Sequence, residues 1–156
     1  MSLKYFYRLA HILQTIYWFI FRPKISGVKI LVEYKNSYLL IKNSYVSDPK
    51  WNLPGGGIEK NQSLTQNAMR ELFEEVGIRA KVHLLGSYYH DGPKKTNKVY
   101  CFWAKVKSNN LKLNANEIST AQWFAKNQLP SYLSNSASQC INFLNQGTIK
   151  NKKPYA

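Results

Sequence analysis

Acid is scarce in this chain: 8 Asp and Glu residues stand against 22 Lys and Arg in 156, a formal net charge of +14. Cysteine is scarcer, and the only two, Cys101 and Cys140, supply neither a disulfide framework nor a metal-ligand spacing. Both read as small buried thiols in a reducing cytoplasm. The three histidines, His11, His83 and His90, are scattered, which excludes a histidine ligand pair. Internal repeats and low-complexity linkers are missing, so the length and the 44% apolar content suit one compact domain.

An uninterrupted membrane span is missing too. Residues 1–22 come nearest, with a narrow polar stripe of Lys4, Arg8, His11, Thr15 and Trp18 on an otherwise apolar and aromatic helix that Arg22-Pro23 stops. A span needs about 20 apolar residues, and Arg8 near a helix centre would cost roughly 2.5–3.5 kcal/mol. Arg22 and Lys24 after the apolar run, with no small-x-small site, argue against a cleaved signal. The helix is expected to pack on the rest of the chain or on a second copy in a homodimer. The lesser reading is peripheral membrane contact through residues 3–21. The expected location is cytoplasmic, at the inner membrane surface on that lesser reading.

What acid there is, is concentrated. Glu59, Glu71, Glu74 and Glu75, half of the eight acidic residues, lie between Gly56 and Ile78. The last three fall at i, i+3 and i+4, and like charges so spaced destabilise a helix by about 0.2–0.5 kcal/mol per pair. A hard divalent cation removes that repulsion, and Mg2+ commonly shares its shell with substrate phosphate. The cluster therefore points to a phosphate-bearing substrate.

Around it, Trp51-Asn52-Leu53-Pro54 reads as a short strand ended by proline, and Gly55-Gly56-Gly57 allow a sharp turn with open carbonyls. Ser63 and Gln66 form a capping-box signature, Leu64, Ala68, Leu72 and Val76 make the buried stripe of a helix, and Gly77 closes it. Apolar and acidic faces are expected to be separate.

The run from Gly56 to Ile78 resembles the Nudix box, G-x5-E-x7-R-E-U-x-E-E-x-G-U with U aliphatic. Gly56, Arg70, Glu71, Leu72, Glu74, Glu75, Gly77 and Ile78 match in register, and Gln62 stands where the first glutamate belongs. A glutamine there keeps a hydrogen bond to Arg70 and loses the charge. Downstream, residues 116–124 and 127–130 resemble the family's late loop, strand and short helix, with Glu117 as the only acid after Asp91.

The resemblance implies Mg2+-dependent hydrolysis of a pyrophosphate bond in a nucleoside diphosphate linked to another group, with Mn2+ as a substitute cation. It makes Glu74 and Glu75 direct ligands, with the Gly56 carbonyl as a further oxygen. Glu71 is base or third ligand, Glu117 competes for either role, and Arg70 orients Glu71. Glu59 is an outer ligand or a turn residue. Tyr45, Trp51, Tyr89 and Lys94 are candidate substrate contacts. The alternatives are a non-catalytic nucleotide- or RNA-binding module, motivated by Gln62 and the extra helix at 1–22, and a pyrophosphohydrolase of RNA 5′ ends, motivated by charge. RNA is the lesser partner, because only four of the basic residues are Arg and the lysines are spread along the chain. That charge equally steers a small polyphosphate.

Strands are expected over residues 28–34 and 38–41 as a hairpin, then 80–89 and 98–107 flanking a turn, with a last helix over 134–146. This order suits an α/β/α sandwich around a central mixed sheet, which the resemblance also implies. The division is an apolar helix at 1–22, the Nudix hydrolase domain at 23–147 and a basic tail at 148–156.

Overall fold

The hairpin opens the fold as expected, with β1 (Ile25–Tyr34) and β2 (Ser37–Asn43) antiparallel across a two-residue turn at Lys35 and Asn36. The computed structural model describes residues 25–91 and 96–147. The helix expected over residues 1–22, the tail from 148 and Lys94 lie outside the described residues. Among the described residues, no helix is long and apolar enough to cross a membrane.

Helix α1 (Leu64–Val76) follows, then β3 (His83–Asp91), β4 (Thr96–Val106), β5 (Ile118–Ala125) and α2 (Asn135–Asn145). The sheet order is β3-β4-β1-β2-β5, with β1 and β4 parallel and the other neighbours antiparallel. Strand alternation sorts the core into two layers. Val28, Ile30, Val32, Leu39 and Ile41 meet Ala68, Leu72 and Val76 of α1. Leu31, Tyr38, Leu40, Leu85 and Cys101 meet Ala137, Cys140 and Ile141 of α2. The result is the expected sandwich with one helix on each face of a mixed sheet.

Two expectations are corrected. Cys101 and Cys140 are joined as a disulfide across 39 positions, where two separate thiols were expected. Alternation turns Cys101 toward the face that α2 covers, a tertiary contact that sequence spacing does not reveal. Residues 127–130 are not helical: a turn at Lys126 and Asn127 leads out of β5, with Gln128 N–H donating to the Ala125 carbonyl at 2.9 Å.

The site depends on where β1 and β2 part. Their paired register is confined to the hairpin end, Glu33 with Tyr38 and Tyr34 with Ser37. Residues 52–56 fill the opening: Asn52 exchanges backbone bonds with Ile41, and the Pro54 and Gly56 carbonyls accept from Ile30 and Val28, all at 2.9 Å. The glycine turn is thereby fixed beside α1.

Candidate active site

Helix α1 begins and ends as its sequence dictates. Ser63 and Gln66 complete the capping box, and Gly77 closes the helix in the left-handed region at φ 73°. Asn67, wholly buried, organises the loop that leads in. Its Oδ1 accepts from Glu59 N–H at 2.8 Å, and its Nδ2 donates to the carbonyls of Glu59, Gln62 and Ser63 at 3.3, 3.2 and 3.0 Å.

The three helix carboxylates do not share one exposed face. Glu71 and Glu75 are 8% and 4% exposed, whereas the Glu74 side chain is 50% exposed. The glycine turn covers the first two: a Cβ on Gly56 would stand 2.5 Å from Glu71 Oε2, and Gly55 N–H donates to Glu75 Oε2 at 2.8 Å. The expected separation of acidic and apolar faces therefore fails at Glu71 and Glu75, which border the buried stripe.

Arg70 gathers three carboxylates. Its guanidinium pairs with Glu71 Oε1 at 2.9 Å and Glu74 Oε2 at 2.8 Å, with Glu59 further off at 3.7 Å. Its Nε also donates to Gln62 Oε1 at 3.3 Å, so the glutamine keeps the contact expected of it. Gln62 Nε2 donates in turn to Glu59 Oε2 at 2.8 Å. Glu117 is linked to the last turn of α1 through Asn114. Asn114 N–H donates to the Glu75 carbonyl at 3.0 Å, and Asn114 Nδ2 donates to Glu117 Oε1 at 3.1 Å.

Burial raises the pKa of Glu71; the charge and hydrogen bond of Arg70 oppose the rise, and Glu74 and Glu117 add to it. Burial likewise raises Glu75, opposed by Lys29 and the Gly55 N–H and reinforced by Glu71 and Glu117. The negative charges of Glu71 and Glu117 thus add to the cost of ionising Glu75, and that of Glu117 to the cost of ionising Glu71, while Glu74 pairs with Arg70. Among the described residues no three acidic, histidine or cysteine side chains make a ready-formed metal cage. The donor chemistry nonetheless fits a hard divalent cation, because buried, mutually repelling carboxylates are what such an ion relieves.

This electrostatics sets a pH dependence. Both acids titrate in the folded chain above the ordinary value of 4.5, so their stabilising contribution is complete below that pH and is lost as pH rises through the raised values. The Tm without divalent ions is expected to fall over that window, and the Glu75→Gln chain to show a flatter profile. Saturating Mg2+ is expected to restore Tm more at pH 8 than at pH 5. Thermal melts across pH with and without Mg2+ check this, and equal profiles for the two chains would contradict it.

The candidate substrate contacts fare unequally. Tyr45 is 75% exposed, and its pKa is raised by burial and then by the charges of Glu75, Glu117 and Glu71. Trp51 packs edge-on against Phe124 at 4.8 Å in the α2-side core. Tyr89 lies on the edge strand β3, 63% exposed and covered by Lys98. The Gly56 carbonyl already accepts from Val28, which leaves one lone pair for another partner. Sequence reasoning missed Asn67, Asn114 and Lys29; the last carried a signal, as the one charge between Ile25 and Val32.

The NUDIX domain family model matches residues 22–142. Over 119 residues the chain is 26% identical to a Bacillus subtilis (strain 168) protein provisionally named 8-oxo-dGTP diphosphatase, covering 76% of this chain and 77% of that one. Phosphatase NudJ of Escherichia coli (strain K12) is 31% identical over 77 residues, 49% of this chain and 50% of NudJ, so that match spans half the relative's length. Among solved structures, a UDP-X diphosphatase superposes with a TM-score of 0.67 at 28% identity, covering 82% of this chain and 64% of that one.

Proposed function

The chain belongs to the Nudix hydrolase family, and we propose that it hydrolyses the pyrophosphate bond of a nucleoside diphosphate derivative in the presence of Mg2+, giving a nucleoside monophosphate and a phosphorylated product. The observation that carries this reading is the pair of buried carboxylates, Glu71 and Glu75, held under the glycine turn.

Glu75 and Glu117 would hold the cation, with the Gly56 carbonyl and Glu74, once turned from Arg70, as further oxygens, which leaves Glu71 for the proton. Bound Mg2+, or Mn2+ in its place, supplies charge neutralisation on the pyrophosphate oxygens and a lower pKa for the attacking water. Glu71 suits the base: burial raises its proton affinity, so it takes the water's proton as the new P–O bond forms and the bridging P–O bond breaks. The leaving phosphate carries away the electron pair of that bond. Arg70 holds Glu71 Oε1 and so turns Oε2 toward the glycine turn. Tyr45 offers an exposed ring for a nucleobase or sugar.

Gln62 favours the second reading, a module that binds nucleotide without turnover. One experiment separates the two. The full chain is incubated with Mg2+ and a panel of nucleoside triphosphates, nucleotide sugars, ADP-ribose, dinucleoside polyphosphates and triphosphorylated RNA, with products identified by chromatography. A nucleoside monophosphate product that disappears with EDTA is expected. Binding of a nucleotide with no product from any panel member would overturn the hydrolase reading.

A further inference from the structure

Lys29 is a charged side chain midway along the otherwise apolar core of β1, and no step above uses it. Its Nζ donates to the Gly55 carbonyl at 2.6 Å and to the Leu53 carbonyl at 3.0 Å. Gly55 in turn gives its N–H to Glu75 Oε2 at 2.8 Å. One residue of the turn is therefore gripped at both of its polar groups, by an ammonium at the carbonyl and by a carboxylate at the amide. Gly55 needs such a grip: it sits at φ 132°, where side chains are strained, and a Cβ there would come within 2.1 Å of the Val28 carbonyl.

A lysine is suited to this place. Its three donors on one nitrogen can serve two carbonyls that leave the chain two residues apart, whereas the planar fork of arginine is built for parallel acceptors. Its charge also faces Glu75 and Glu71, which resist the drop that burial imposes on its own pKa.

We propose that Lys29 is a positioning residue for the site: its ammonium fixes the Leu53 and Gly55 carbonyls and so aims the Gly55 N–H at Glu75. The catalytic consequence rests on the hydrolase reading, while the clamp itself is a matter of geometry. Without the ammonium, the two carbonyls lose their donor, the turn loosens, and Glu75 loses its fixed partner.

The test uses the full chain with Lys29→Met, which keeps the length and apolar stem of the side chain, and with Lys29→Cys alkylated by 2-bromoethylamine. In that alkylation the thiolate displaces bromide and rebuilds a lysine-like ammonium. Lys29→Met is expected to lower kcat about 10–100-fold with KM for the nucleotide unchanged, as for other groups that orient metal ligands. Hydrogen exchange at the Gly55 amide quickens while Leu72 and Val76 in α1 stay protected. The alkylated cysteine restores both kcat and Gly55 protection, and Lys29→Arg restores neither.

Unchanged exchange at Gly55 in the folded Lys29→Met chain would overturn the clamp. So would exchange that quickens equally throughout α1, the mark of a general loss of stability. A parent chain that turns over no nucleotide strikes at the hydrolase reading, and the exchange measurement still decides the clamp by the same results.

Discussion

Glu71→Gln is expected to lower kcat by about 10²–10⁴-fold, the range for losing a positioned general base. The same substitution should raise the Tm of the metal-free chain at neutral pH. Both effects come from one property of the site. Burial makes the ionised Glu71 costly, with Glu74 and Glu117 adding to the cost, so a neutral amide of the same shape relieves the fold. The amide keeps an oxygen for Arg70, which now stands 2.9 Å from Glu71 Oε1, and it cannot take a proton from water. Activity and stability thus move in opposite directions, as expected where a fold carries strain for function. Paired measurements of kcat and melting temperature check this. A Glu71→Gln chain of unchanged kcat, set beside a Glu117→Gln chain that loses it, would move the base to Glu117.

The sequence was informative wherever one segment carries its own instruction. The capping box at Ser63 and Gln66, the stripe of Ala68, Leu72 and Val76, and the closing glycine at Gly77 are local, and each is found where expected. The hairpin was equally legible, because alternation and a turn define it within twenty residues. Features set by distant pairing were not. The parallel register of β1 with β4 depends on which strand neighbours which, and the bond between Cys101 and Cys140 on which helix covers which face of the sheet. In the site, the spacing of Glu71, Glu74 and Glu75 assigned the three carboxylates one shared environment. The glycine turn divides them, burying Glu71 and Glu75 and leaving Glu74 to Arg70. Asn114, which ties Glu117 to the last turn of α1, could not be found by spacing, because its partners lie on a different element.

The second large effect is expected from Arg70→Lys, although the charge is kept. The guanidinium works as a fork: Nη1 reaches Glu74, Nη2 reaches Glu71 and the Asn67 Oδ1, and Nε reaches Gln62. A lysine nitrogen is a single point with three donors, and it cannot span acceptors spread over the helix, the lead-in loop and the glycine turn. Gln62 sharpens this dependence. A glutamate there would add a charge to hold the fork, whereas the glutamine's oxygen offers only a neutral acceptor at 3.3 Å, with its amide committed to Glu59. Glu71 is then oriented chiefly by the fork itself. Arg70→Lys should therefore lower kcat about 10–100-fold and raise the Mg2+ concentration for half-maximal rate, with little change in nucleotide KM. Melting temperature should shift much less than rate, because the arginine lies at the surface side of the cluster and its ion pairs are partly screened by solvent. Steady-state kinetics across Mg2+ concentrations check the expectation. If Arg70→Lys instead raised KM alone, Arg70 would be contacting substrate, and its assignment as the residue that orients Glu71 would fall.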